Sequence, residues 1–149
     1  MTHTFRARGI ELELPTGWEN ISESQDEPLA LTDPKEGLGG LQITVALYDG
    51  DGEPEPTISD LQEMLDEFAK TQNLVPLEPP QELLSNHSQV TIVAASFQFM
   101  KSEFLRVFYL ADKVHFVFAT YTCALEDQRE ERDLCESIIK SLYFTPSAV

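Results

Sequence analysis

The stretch FLRVFYLADKVHFVFATYTC at 104–123, continuing as ALEDQREERDLCESIIKSL at 124–142, decides the architecture of this chain. Its first part is dense in Phe, Tyr, Val and Leu, residues that pack well on a pleated, half-buried surface. Ala111, Asp112 and Lys113 interrupt the run, and so short a break forces residues 104–110 and 114–122 into an antiparallel hairpin. With Asp112–Lys113 as a two-residue turn, Tyr109 faces Phe116 and Val107 faces Phe118 on one side. The other side pairs Leu110 with His115, Phe108 with Val117 and Arg106 with Ala119. A three-residue loop would instead set Tyr109 against His115. Both faces carry large apolar groups in either register, which marks a central hairpin, covered on one face and partly on the other.

The second part reads as an amphipathic helix folding back across that hairpin. Leu134, Cys135, Ile138, Ile139 and Leu142 recur at helical spacing. Asp127, Arg129, Glu130, Glu131 and Arg132 make a solvated face. Glu126 and Asp127 lie early and Lys140 late, as the helix dipole favours.

Working outward, Phe5–Leu14 alternates and reads as a first strand ending at Pro15, where LPTGW (14–18) supplies a turn that presents Trp18. Leu29–Leu31 is a short strand, 34–40 a loop, and Leu41–Tyr48 a strand with a β-branched centre. DGDGEPEP (49–56) is loop by composition. Thr57 opens a helix with Asp60 in the capping-box place, and Leu61, Met64, Leu65 and Phe68 form its apolar stripe. Asn73–Pro80 reads as an extended connection. Gln81–Ser85, Gln89–Ala95 and Ser96–Lys101 read as further strands, with a turn near Asn86–Ser88. Strands, helix, strands, helix is the order of an α+β fold. The expectation is one domain over 1–149, a twisted antiparallel sheet with a long central hairpin, packed by two main helices.

The 149 residues suffice for a real core. An apolar content of 42 % is ordinary, but 10 basic against 26 acidic residues gives a net charge of −16. Eight acids lie between Glu11 and Glu36, eight between Asp49 and Glu67 and ten after residue 77. Such a surface repels nucleic acid and anionic lipid, both of which are bound by neutralising phosphate with Lys and Arg. It serves solubility and would attract a basic protein. No window approaches the roughly 20 apolar residues of a membrane span, and the first residues lack the apolar run of a signal peptide. The expected compartment is the cytoplasm. Cys123 and Cys135 could form a bridge, although two buried thiols suit a reducing compartment better.

Motifs with chemistry are sparse. Asp49-Gly-Asp51-Gly-Glu53 begins like a calcium loop, but Pro54 stands where the loop needs glycine and Asp60 where it needs glutamate. Gly37-Leu-Gly39-Gly40 precedes a strand rather than following one, so it reads as a turn and not a phosphate loop. His3, His87 and His115 share no metal spacing. His115 and Cys123 are eight residues apart on one strand, roughly 26 Å, too far for a nucleophile–base pair. Ser85, Ser88 and Ser96 lie in no nucleophile-elbow context. No cofactor, metal or catalytic residue is expected.

The aromatic residues are more suggestive. Phe97, Phe99, Phe104, Phe108, Tyr109, Phe116, Phe118 and Tyr121 fall on successive strands. If helices cover a single face of the sheet, the other is an aromatic surface edged by Arg106 and His115, a binding site rather than core. The face carrying Phe108 is therefore either core or groove.

This ordering resembles the PsbP-like superfamily, which includes a photosystem II subunit, a Ran-release factor and the bacterial DcrB and Eag groups. The carrying features are a strand running into LPTGW, a strand and helix near TISDLQEML (57–65), the long aromatic hairpin, and Tyr121-Thr122 leading to a helix that ends IIKSLYF (138–144). They span nearly the whole chain, each piece short and generic. The resemblance implies a non-enzymatic module. Eag-type members are cytosolic chaperones that hold apolar helices of type VI secretion effectors in a sheet groove, whereas DcrB-like members are often exported lipoproteins, and no lipobox cysteine lies near residue 1. The Ran-contacting residues have no counterpart here.

Three functions compete. The first is a cytosolic protein-binding module, in its specific form a secretion chaperone or adaptor, with Arg106, Phe108, His115 and Tyr121 on the contact face. The second is an acidic immunity-type inhibitor of a basic toxin, with Asp49, Asp51 and Glu53 in contact and a steep salt dependence. The third, a small-ligand carrier or enzyme, needs a deep pocket with convergent polar groups. A protein partner is expected in the first two, with no nucleic acid and no membrane; the sequence leaves the oligomeric state open, a homodimer included.

Overall fold

The computed structural model describes residues 2–24, 26–47, 57–112 and 115–145. Ten strands and two α-helices follow in the order β1 (Thr2–Ala7), β2 (Ile10–Pro15), β3 (Glu19–Asn20), β4 (Leu29–Thr32), β5 (Gly39–Leu47), α1 (Ile58–Thr71), β6 (Val75–Leu83), β7 (Thr91–Phe99), β8 (Glu103–Ala111), β9 (His115–Ala124), α2 (Arg132–Ser141) and β10 (Tyr143–Phe144). A seven-stranded antiparallel sheet runs β3-β4-β5-β9-β8-β7-β6, and a three-stranded sheet runs β1-β2-β10. The fold is the expected α+β arrangement, with the β8–β9 hairpin near the centre of the large sheet.

The hairpin register is neither of the two anticipated. Ala111 faces Phe116, Tyr109 faces Phe118, Phe108 faces Ala119 and Arg106 faces Tyr121. Every residue keeps its anticipated face, because the shift is by two. The displacement comes from Asp112, whose carboxylate accepts the His115 amide (2.6 Å) while its own amide donates to the His115 carbonyl (3.1 Å). Asp112 thus serves the ladder rather than the turn.

Several elements also differ from the sequence reading. Phe5–Leu14 is a hairpin, not one strand: Arg8 and Gly9 take φ of +53° and +80° and fold β1 back on β2. Two positive φ values in a row give the turn whose twist suits a two-residue hairpin. Gly39 and Gly40 belong to β5 rather than to a turn. A Cβ on Gly39 would lie 2.1 Å from the Thr122 carbonyl oxygen and 2.9 Å from the Tyr121 hydroxyl, so the close approach of β5 to β9 requires glycine there. The proline-rich connection is largely β6, an edge strand whose pairing to β7 slips between Pro76 and Glu78 and between Glu78 and Gln81. The separate strands expected at 89–101 are one strand, β7, paired to β8 along its length. The final helix starts only at Arg132, after a single 3-10 turn at Leu125–Asp127.

Two apolar layers result. One face of the large sheet, carrying Ile92, Phe104, Phe108, Val117, Ala119 and Tyr121, packs under α2 and the small sheet with Leu12, Leu14, Trp18, Cys135, Ile138 and Ile139. The other face, carrying Val93, Ala95, Phe97, Val107 and Tyr109, packs under Leu61, Leu65 and Ala69 of α1. At the start of α1 the Thr57 hydroxyl accepts the Asp60 amide and the Asp60 carboxylate accepts the Thr57 amide, the reciprocal cap the sequence indicates.

Candidate functional site

The structure separates the residues proposed for partner contact. Arg106, Phe108 and Tyr121 are only 1 %, 0 % and 1 % exposed. The face carrying Phe108 is core, closed by α2 and the small sheet, and this corrects the expectation that these three meet a partner. His115 is half-buried at the far end of the hairpin, its ring stacked on Phe144 at 4.5 Å and its Nδ1 3.2 Å from the Asp112 carboxylate. Asp49, Asp51 and Glu53, with the calcium-like loop they form, lie outside the described residues.

Arg106 is instead the centre of a buried polar chain. Its Nη1 donates to Ser96 Oγ of β7 at 2.6 Å, and its guanidinium lies 5.5 Å from the Phe108 ring centroid. Nη2 is 2.6 Å from Glu136 Oε1 on α2 but out of line for a hydrogen bond, so that contact is an ion pair. Arg132 also lies by Glu136 and grips Glu78 of β6 through its two terminal guanidinium nitrogens. Burial pulls the Arg106 guanidinium below its usual value, and Glu136 opposes this. The hydrogen bond from Arg132 holds the Glu78 carboxyl below its usual range. The chain ties β6, β7, β8 and α2 together, which is a fastening role rather than a contact surface.

Glu131, assigned to the solvated face, is buried. Its Oε1 accepts the Tyr121 hydroxyl (2.7 Å) and the Gly39 amide (3.0 Å). Burial, then this hydrogen bond, pushes the Tyr121 phenol far up. Glu131 stands immediately before α2 and gives that helix no side-chain cap. Cys123 and Cys135 are both buried free thiols, pushed up by burial.

The candidate surface lies on the opposite face. Helix α1 packs against β6, β7 and β8. Beyond it, Phe116 and Phe118 of β9 are half-buried, and Gln42, Thr44 and Ala46 of β5 are exposed on the same side. Along this flank α1 presents Asp60, Glu63, Met64, Glu67 and Phe68, which with Tyr109 line a shallow, wide-open groove of about 620 Å³. Phe68 meets Phe118 edge-on at 5.1 Å, and Tyr109 sits 5.3 Å from Phe118 and 5.4 Å from Phe116. Met64, expected in the buried stripe, is 40 % exposed. The groove therefore has an aromatic floor and an acidic wall. Each of these aromatics stands out in the sequence, and strand alternation already puts Tyr109, Phe116 and Phe118 on one face; which face the helices leave partly open is not legible there. The one signal was the helix itself, where Leu61, Leu65 and Ala69 suffice for a buried stripe and leave Met64 and Phe68 to one side.

A second depression, about 390 Å³, is lined by His87, Asp112, Tyr143 and Phe144 among others, with His87 and Tyr143 rings 4.5 Å apart. Among the described residues no group of three or more His, Cys, Asp or Glu side chains is placed to hold a metal ion, and no helix is long and apolar enough to cross a membrane.

No protein-family model matches the chain, and no curated protein matches its sequence. Solved structures do match its fold. The solution structure of cyanobacterial PsbP (CyanoP) from Synechocystis sp. PCC 6803 superimposes with a TM-score of 0.69 at 12 % identity, over 96 % of this chain and 92 % of that one. LpqN, involved in cell envelope biogenesis of Mycobacterium tuberculosis, gives 0.61 at 13 % identity, over 98 % and 91 %. PA94 from Pseudomonas aeruginosa, a protein of unknown function described as a putative regulator, gives 0.56 at 16 % identity, over 98 % and 99 %. The chain has the PsbP-like fold. At these identities the likeness defines architecture alone.

Proposed function

We propose that the chain is a non-enzymatic protein-binding module whose contact surface is the groove beside α1. One observation carries this reading: Phe68, Phe116 and Phe118 are left half-buried around a buried Tyr109, next to the depression that Asp60, Glu63, Met64 and Glu67 line. An apolar strip walled by acids fits a segment that combines apolar side chains with Lys or Arg, such as a basic amphipathic helix. The narrower form of the proposal is a cytoplasmic chaperone or adaptor of bacterial secretion that shelters an apolar segment on its sheet. The resemblance to Eag-type chaperones supports it, with the surface moved from the Phe108 face to the α1 side.

The charge of −16 favours one alternative, an acidic inhibitor of a basic toxin. Capture from the source cell discriminates the two. Wild type, Met64→Asp and a Glu63→Lys/Glu67→Lys pair are compared with a variant in which Asp49, Asp51 and Glu53 become Asn, Asn and Gln. On the groove reading one partner is retained at high salt, lost with Met64→Asp and weakened by the charge-reversed pair. Loss with the neutralised loop alone, together with elution as salt rises, selects the inhibitor reading. No retained protein under any condition overturns both.

A further inference from the structure

Four strands form the sheet edges among the described residues, and three of them are closed to further pairing. β3 and β10 are two residues long. β6 carries Pro76, Pro79 and Pro80 and two breaks in register, the features with which proteins blunt an edge. β1 is different. It is six residues long, pairs with β2 without a bulge from Thr2 to Ala7, and contains no proline. Ala7 and Ile10 flank the two-residue turn and form its hydrogen-bonded pair, and an antiparallel ladder alternates. Ala7, Phe5 and His3 thus direct their backbone groups to β2, while Arg6, Thr4 and Thr2 direct theirs outward.

The charge along this edge is also set apart. The first ten residues contain Arg6 and Arg8 and no acid, in a chain with 26 acids; Arg6 is ion-paired with Glu11 of β2, and Arg8 donates to the Ser24 and Glu27 carbonyls. We propose that the outer edge of β1 pairs antiparallel with β1 of a second copy of this chain, joining two three-stranded sheets into one of six about a two-fold axis. The register with Thr4 opposite Thr4 uses all three outward residues of each copy. It sets Arg6 opposite Thr2, so no like charges meet. Thr2 and Thr4 both donate to Glu13 on the same face, so the Arg6 side chain of the second copy approaches a carboxylate already ordered beside Thr2. A register shifted to place Arg6 against Arg6 loses both advantages.

Two tests are specific to this pairing. Analytical ultracentrifugation of the tag-free chain would show a dimer that strengthens as salt rises, because screening relieves repulsion between two −16 chains and leaves backbone hydrogen bonds intact. This is the reverse of the salt response of a partner held at the acidic wall of the groove. Thr4→Pro removes an outward amide, a change that an edge strand tolerates, and would halve the apparent mass. The register is read by oxidation: Thr4→Cys brings two Cα atoms to about 5.5 Å, within disulfide reach. Arg6→Cys leaves them about 14 Å apart. A covalent dimer from the first variant and none from the second is the expected result. A wild type that is monomeric at every salt, a Thr4→Pro variant that stays dimeric, or equal cross-linking of the two cysteine variants would overturn the proposal.

Discussion

The two faces of the large sheet are built from the same strands yet end in different states. On one, Phe104, Phe108, Ala119 and Tyr121 are sealed beneath α2 and the small sheet. On the other, α1 covers Val107 and Val93 but leaves Phe116 and Phe118 half-buried. The alternating side chains of β8 and β9 are about equally apolar on both faces, so composition does not distinguish floor from core. Coverage does: two layers close the first face and one helix closes part of the second.

That contrast can be broken most forcefully at Phe108. Phe108→Ala leaves a cavity where nothing can collapse from solvent, and should cost about 3–5 kcal/mol in urea unfolding. Any loss of partner binding should disappear where the variant remains folded. The next effect lies in the fastening chain. Glu136→Gln strands the Arg106 cation and should cost about 3 kcal/mol. Replacing both, as Arg106→Met with Glu136→Leu, should recover most of that, measured by the same denaturation.

A smaller effect comes from pH. The Glu78 carboxyl is held below its ordinary 4.5 in the folded chain, chiefly by the Arg132 hydrogen bond. Its contribution is therefore complete above the unfolded value and is lost as pH falls through the lower folded one. Glu78 is about one-third exposed, so screening keeps the effect near 1 kcal/mol or less. Glu78→Gln should flatten the stability profile below about pH 5. Smallest of all, Met64→Asp on the open face should shift stability by no more than about 0.5 kcal/mol. A large loss of stability there would mean that the groove is core after all.

Much of the fold could be read from local pattern: the hairpin and its two faces, the capping box at Thr57 and the closing helical stripe, save Leu134, which is exposed. What was missed was set by side-chain and backbone contacts that apolar periodicity does not encode. Asp112 moved the register because its side chain reached His115, and Gly39 joined a strand because β9 needed it close. Glu131 turned inward to meet Tyr121, a contact invisible to helical periodicity. The candidate site was hidden for the same reason. Phe118 and Phe108 are alike in sequence terms, and only the placement of α1 and α2 leaves one half-buried and makes the other core.

Trp18, the single tryptophan, sits 3 % exposed inside the sealed layer beside α2 and the small sheet. Its emission is consequently a one-sided optical reporter. A red shift would signal water reaching that layer, as acid or denaturant loosens α2. Occupation of the groove on the far side of the sheet would leave the spectrum unchanged, so one cuvette can separate unfolding from binding.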